Sequence, residues 1–222
     1  LNPAQILERL EAVDNLFNNF TLTADLREAL GGIYDLERLM TRVMYKTASP
    51  RDLKSLSITA LKLPELKKIL NNFDSKLLVS LNNKISTLEA ISNLIENALV
   101  DEPPINVKDG GVIKDGFNEQ LDDLKNIISG GKGIIEDIER RERDLSGIRN
   151  LKIGYNRIFG YYIEVTKSML ENVPDRYIRR QTLTGAERYI TNELKDVEGK
   201  VLGAKDKIQA LEYELFVEIC DK

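Results

Sequence analysis

The feature that most constrains this chain is a pair of narrow apolar seams flanking a short aromatic stretch. Leu194, Val197, Val201, Ala204, Ile208, Leu211 and Leu215 form an unbroken series at alternating three- and four-residue spacing, the heptad pattern of a helix that buries one thin stripe. Upstream, Leu121, Leu124, Ile128, Ile135, Ile138 and Leu145 keep the same spacing, with Gly131 and Glu142 in the skipped slots. A chain that leaves along one such helix and returns along another pairs most simply as an antiparallel arm. Intermolecular coiled-coil pairing is the alternative.

Between the seams, Leu151 to Thr191 holds six of the fourteen Tyr and Phe residues of the chain. Ile153, Tyr155 and then Phe159 to Val165 alternate β-branched and aromatic residues, broken by Asn156-Arg157 and Gly160, as in strands joined by a tight connection. Tyr177 to Thr182 and Arg188 to Thr191 form a second extended pair around Leu183-Thr184-Gly185-Ala186, where Gly185 can supply a positive φ. The fold expected is mainly α, a helical domain with a long antiparallel helix pair carrying a small antiparallel β module. The divisions expected are 1–116, a helical domain; 117–148, the outgoing helix; 149–192, the β module; and 193–222, the returning helix.

Charge separates the same regions. The stretch from Leu151 to Thr191 carries seven basic and four acidic residues, a net of +3, so the remainder carries −7 against −4 for the whole chain. A basic module is mounted on an acidic support, which directs attention to anionic partners.

With no His and a single Cys220, the familiar triads, most zinc sites and internal disulfides are excluded. No apolar run approaches the roughly 20 residues of a membrane span, and the start does not resemble a signal peptide. The expected compartment is the cytoplasm.

Residues 1 to about 100 read as successive helices. Asn2-Pro3 and Ser49-Pro50-Arg51-Asp52 are helix starts. Ile6, Leu10, Val13 and Leu16-Phe17 in the first helix, and Leu53, Leu56 and Leu61 in the second, form stripes expected to be core. Gly31-Gly32 interrupts the helical pattern. Asp101 to Gly116, with two prolines and three glycines, reads as a loop or short hairpin.

Ser129-Gly130-Gly131-Lys132-Gly133 lacks the first glycine and the hydroxyl of a phosphate loop and is not preceded by a strand, so a helix irregularity or kink is expected there. The run Glu136 to Asp144 reads as a solvated helix face with i,i+4 pairs. Around Arg179-Arg180-Gln181-Thr182 and Leu183 to Arg188, forked cations, hydroxyls and turn amides are the donors that contact phosphate oxygens. In a regular strand Arg179 and Arg180 point to opposite faces, so at most one faces a ligand while the other pairs with a nearby acid. The competing reading is ordinary surface arginines paired with Glu164, Glu187 or Glu193. The tyrosines read as core rather than base-stacking platforms, so a nucleic-acid contact would be to backbone, not sequence.

GYNRIFGYYIEVTK (154–167) followed by VPDRYIRRQTLTGAERYITNELK (173–195) resembles the clamp region of MutS-type DNA mismatch repair proteins. GIYDLERLMTRV, ASPRDL, DGGVIKDGFNEQLDDLK and RERDLSGI extend the resemblance through most of the chain. The resemblance implies part of a helical lever domain with the clamp inserted into it. It also implies clamp contacts with the backbone of duplex DNA at Asn156, Arg157, Arg180, Thr184, Gly185 and Arg188. Many relatives carry a basic residue and an Asn where this chain has Thr184-Gly185, which leaves hydroxyl and backbone donors at that turn. For the full-length protein it implies a homodimer, ATP with magnesium, and a bacterial, nucleoid-associated location. This chain has no Walker motif, so neither enzymatic activity nor a cofactor is expected of it, and it is expected to be monomeric. The alternative function is a helical protein-interaction module that recruits a repair partner without binding DNA.

Overall fold

The structure is a computed structural model and describes residues 2–222. Its residues fall into two compact units, Leu1–Phe117 with Glu212–Lys222, and Asn118–Leu211.

Six helices build most of the first unit: α1 (Pro3–Asn18), α2 (Phe20–Gly31), α3 (Leu36–Met44), α4 (Pro50–Leu70), α5 (Lys76–Lys84) and α6 (Glu89–Ala98). Their starts follow from capping chemistry. The Asn2 side chain accepts from Ala4 N ahead of Pro3. At α4 the Ser49 hydroxyl and Asp52 carboxylate cap each other's amides, with Ser49 N donating to Asp52 Oδ2 at 2.7 Å; such reciprocal caps satisfy donors the helix cannot. α4 packs against α2, α3, α5 and α6, and Ala12, Leu26, Leu63, Leu66, Leu70, Phe73 and Leu78 form a core cluster.

The stripe on α1 departs from the expected core. Ala12 is the one fully buried residue of α1, Leu16 is half-buried, and Ile6, Leu10, Val13 and Phe17 are exposed, as is Leu61 on α4. Phe17 and Phe20 are 82% and 83% exposed. Periodicity identifies a face, but a face becomes core only where another element covers it.

Residues 101–116 form a short closed loop, with Val100 N donating to Val112 O at 3.0 Å and Lys114 N to Ala98 O at 2.8 Å. Its hub is Glu212, fully buried, whose carboxylate accepts from Gly111 N, Val112 N and Ile113 N at 2.7, 3.1 and 3.2 Å. Three amides satisfy a carboxylate that burial alone would penalise heavily.

The second unit contains α7 (Glu119–Ser146), the strands β1 (Lys152–Asn156), β2 (Gly160–Thr166), β3 (Ile178–Thr182) and β4 (Ala186–Ile190), and α8 (Asn192–Cys220) as far as Leu211. A 3-10 segment, Lys167–Asn172, follows β2. The sheet is antiparallel in the order β1-β2-β4-β3.

α7 and α8 lie antiparallel. Arg141 near the end of α7 pairs with Glu193 at the start of α8, and Gly131 meets Val201. α7 is continuous through Ser129–Gly133 rather than kinked. The buried Gly131 is a contact point, where an added Cβ would strike Val201 Cγ2. The returning seam, Leu194 to Leu215, is buried or half-buried throughout. The outgoing seam ends sooner, because Leu145 is exposed while Glu142, in a skipped slot, is buried.

Candidate functional site

The β module is held to α7 by carboxylates that sequence patterning assigns to solvent. Glu139 Oε2 accepts from Ile153 N at 2.7 Å, and Arg143 Nε donates to Leu151 O at 2.7 Å, which fixes the entry to β1. Glu142 is 3% exposed, and its Oε2 accepts from Arg176 Nη2 at 2.5 Å and from Tyr177 OH at 2.8 Å. Burial first, then the hydrogen bond to Glu142, raises the Tyr177 phenol well above its ordinary range. The run 136–144 is therefore only partly a solvated face, with Arg140–Asp137 as its outward pair.

Under the sheet, Ile148, Leu151, Ile163, Val165, Tyr177, Tyr189, Ile190 and Leu194 form one core cluster. Tyr177 and Tyr189 rings stand 5.9 Å apart, and Tyr155 and Tyr161 rings 5.0 Å apart. Tyr189 OH donates to Glu187 Oε2 at 2.6 Å, and burial followed by this bond pushes its pKa up to about 12.

The two turns of the module lie at opposite ends of the sheet. Asn156 pairs with Gly160 at one end of β2, and Thr166 pairs with Ala186 at the other. At about 3.3 Å per residue the length of β2 separates them by roughly 20 Å. At the first turn, Asn156 Oδ1 accepts from Ile158 N at 2.8 Å, so Asn156 shapes the turn and Arg157 stands exposed on it. Gly160 has φ +74°, and an added Cβ would strike the Glu198 carboxylate of α8, so this end of the sheet lies beside α8. The second turn, Thr184-Gly185, is exposed, and Gly185 keeps a negative φ, contrary to the sequence expectation.

The arginines of the module differ sharply in their surroundings. Arg188 on β4 is opposite Glu164 in register; its Nε donates to Glu164 Oε2 at 3.0 Å and its Nη1 to Gln181 Oε1 at 3.0 Å. Its guanidinium also lies 4.1 Å from the Tyr162 ring centroid. Tyr162 in turn covers Gly154, where an added Cβ would meet the ring at 2.7 Å. Arg179 reaches Glu187 at 3.8 Å. Arg180 has no cross-strand partner, because the β3–β4 register shifts between Arg179 and Gln181. The strict alternation expected of Arg179 and Arg180 is thus replaced by a bulge, which leaves one residue unpaired on the strand. Among the described residues, the side chains of Arg180 and Arg157 make no hydrogen bond or ion pair.

Two residues outside the sequence-based set join this site. Glu142 anchors the module from α7. Lys167 is exposed and is brought to the second turn by its own amide, which donates to Gly185 O at 3.1 Å. Eighteen positions of sequence separate the pair, so only the β2–β4 register signals it. The Ser129–Gly133 stretch is helical, its amides committed to helix hydrogen bonds, and does not fit a nucleotide phosphate cradle.

Residues 116–207 match the family described as MutS family domain IV. Over all 222 residues the chain is 48% identical to the DNA mismatch repair protein MutS of Caldicellulosiruptor saccharolyticus, of which it covers 26%. It is 51% identical over 219 residues to that of Alkaliphilus oremlandii, 99% of this chain and 25% of the relative. With the protein of the same name from Caldanaerobacter subterraneus it shares 47% identity over 218 residues, 98% of this chain and 25% of the relative. The chain thus spans about a quarter of the length of these relatives.

Proposed function

Because the chain belongs to the MutS family, we propose that it serves DNA mismatch repair by holding duplex DNA through its phosphates, with the β module as the holding element. The observation that carries this reading is the contrast among the arginines. Arg157 and Arg180 are exposed without an acid partner among the described residues, while Arg179, Arg176 and Arg188 are engaged within the protein. Free guanidinium groups with the open Thr184-Gly185 turn contact phosphate without reading bases. The α7–α8 pair, tied together by Arg141 and Glu193 and joined to the module at Glu139 and Glu142, would carry it as a rigid body within a longer, homodimeric repair protein.

Duplex binding followed by fluorescence anisotropy across a salt series tests this. Roughly 10⁻⁴ to 10⁻⁶ M affinity is expected for sequence-independent binding, with each phosphate contact adding about 0.9 to the magnitude of the log-log salt slope. Arg157→Ala and Arg180→Ala should each lower the slope by about that amount. Binding that ignores salt, or slopes unmoved in both variants, sinks the reading. The exposed apolar side chains of α1 and α2 favour a second one, recruitment of a protein partner by the helical unit. That reading predicts no duplex binding and loss of partner binding on changing Phe17 or Phe20.

A further inference from the structure

We propose that Lys167 supplies the phosphate-binding cation of the β3–β4 turn; this rests on the DNA-backbone reading and adds a contact residue to it. The turn itself carries no positive charge, since Leu183, Thr184, Gly185 and Ala186 are all uncharged. Its donors are nonetheless open. Among the described residues the amides of Thr184 and Gly185 donate to no acceptor, whereas Leu183 N is spent on Ala186 O at 2.8 Å. A Cβ placed on Gly185 would meet nothing within 4 Å, so a ligand atom can approach the backbone there.

Lys167 completes the set. Its amide is fastened to Gly185 O at 3.1 Å, directly after the Thr166–Ala186 pair, while its side chain is exposed and has no acid partner among the described residues. Glu187, directly after the turn, does not neutralise it. That carboxylate is buried, accepts from Tyr189 OH and faces Arg179. An ammonium on a flexible stem, anchored by its backbone beside an exposed turn with a hydroxyl and two open amides, supplies the donors that bind a phosphate oxygen. Basicity absent from the turn in sequence is thus restored beside it in space.

The test measures duplex affinity of the chain between 50 and 200 mM salt for wild type, Lys167→Gln, Lys167→Arg and Arg180→Ala. One contact contributes about 3.5-fold to the affinity lost over that fourfold range, from a slope of about 0.9. Lys167→Gln should lose that factor and Lys167→Arg should keep it. Circular dichroism confirms that the variants fold. A Lys167→Gln slope equal to wild type, with Arg180→Ala still reduced, overturns the Lys167 contact and leaves the backbone reading standing. Unchanged slopes in every variant, or no duplex binding by wild type in the roughly 10⁻⁴ to 10⁻⁶ M range, overturn both.

Discussion

The side of the β module that meets α7 and the rim formed by β3 and the β3–β4 turn use the same residue types to opposite ends. Against α7, charge is consumed: Glu139 takes the Ile153 amide, and Glu142 takes Arg176 and Tyr177. Within the sheet, Glu164, Gln181 and Tyr162 surround Arg188. At the rim, Arg180 falls on a bulge and Lys167 follows the end of β2, so neither has an acid opposite it. Arg188 is structural because the register sets an acid beside it and Tyr162 lies under its guanidinium, and Arg180 is available because the register slips.

The comparison breaks first at Glu142. Glu142→Ala leaves the Tyr177 hydroxyl buried without its acceptor and frees Arg176, which is half-exposed and can return to water. A loss of about 2–3 kcal/mol in urea unfolding is expected; a loss under 0.5 kcal/mol would show that this contact only decorates the interface. Arg188→Ala comes next, at about 1–2 kcal/mol from its charge-assisted hydrogen bonds and ring contact. Its DNA salt slope should match wild type, and a slope lowered like that of Arg180→Ala would erase the distinction between the two groups.

The smallest effect concerns pH. The Tyr189 phenol has a folded pKa of about 12, above its ordinary 10.0, so its contribution is complete below pH 10 and is lost as pH rises through about 12. Tyr189→Phe should be less stable than wild type at pH 8 by about 1 kcal/mol, with the gap narrowing from pH 10 upward. A gap constant from pH 8 to 12 would mean that folding does not raise the phenol's pKa.

Much of the architecture is legible in the sequence because it rests on local rules. The caps at Asn2 and Ser49, the break at Gly31, the returning seam from Leu194 to Leu215 and the two hairpins each follow from a few neighbouring residues. The site is legible only as a set of residue types. Asn156, Arg157, Arg180, Thr184, Gly185 and Arg188 are spread over two turns and two strands rather than gathered at one point. Glu142 looks like part of a solvated run until Tyr177 covers it, and Lys167 looks like one more surface lysine until the β2–β4 register sets it beside Gly185.

By itself the sequence determined that two long helices flank a basic, aromatic β segment, because hydrophobic period and capping act over a few residues at a time. Which charges are spent and which remain open was decided by tertiary structure alone. That outcome depends on strand register, on one bulge at Arg180 and on what covers each helix face. These pairings join positions up to 101 residues apart in sequence, and no local pattern encodes them.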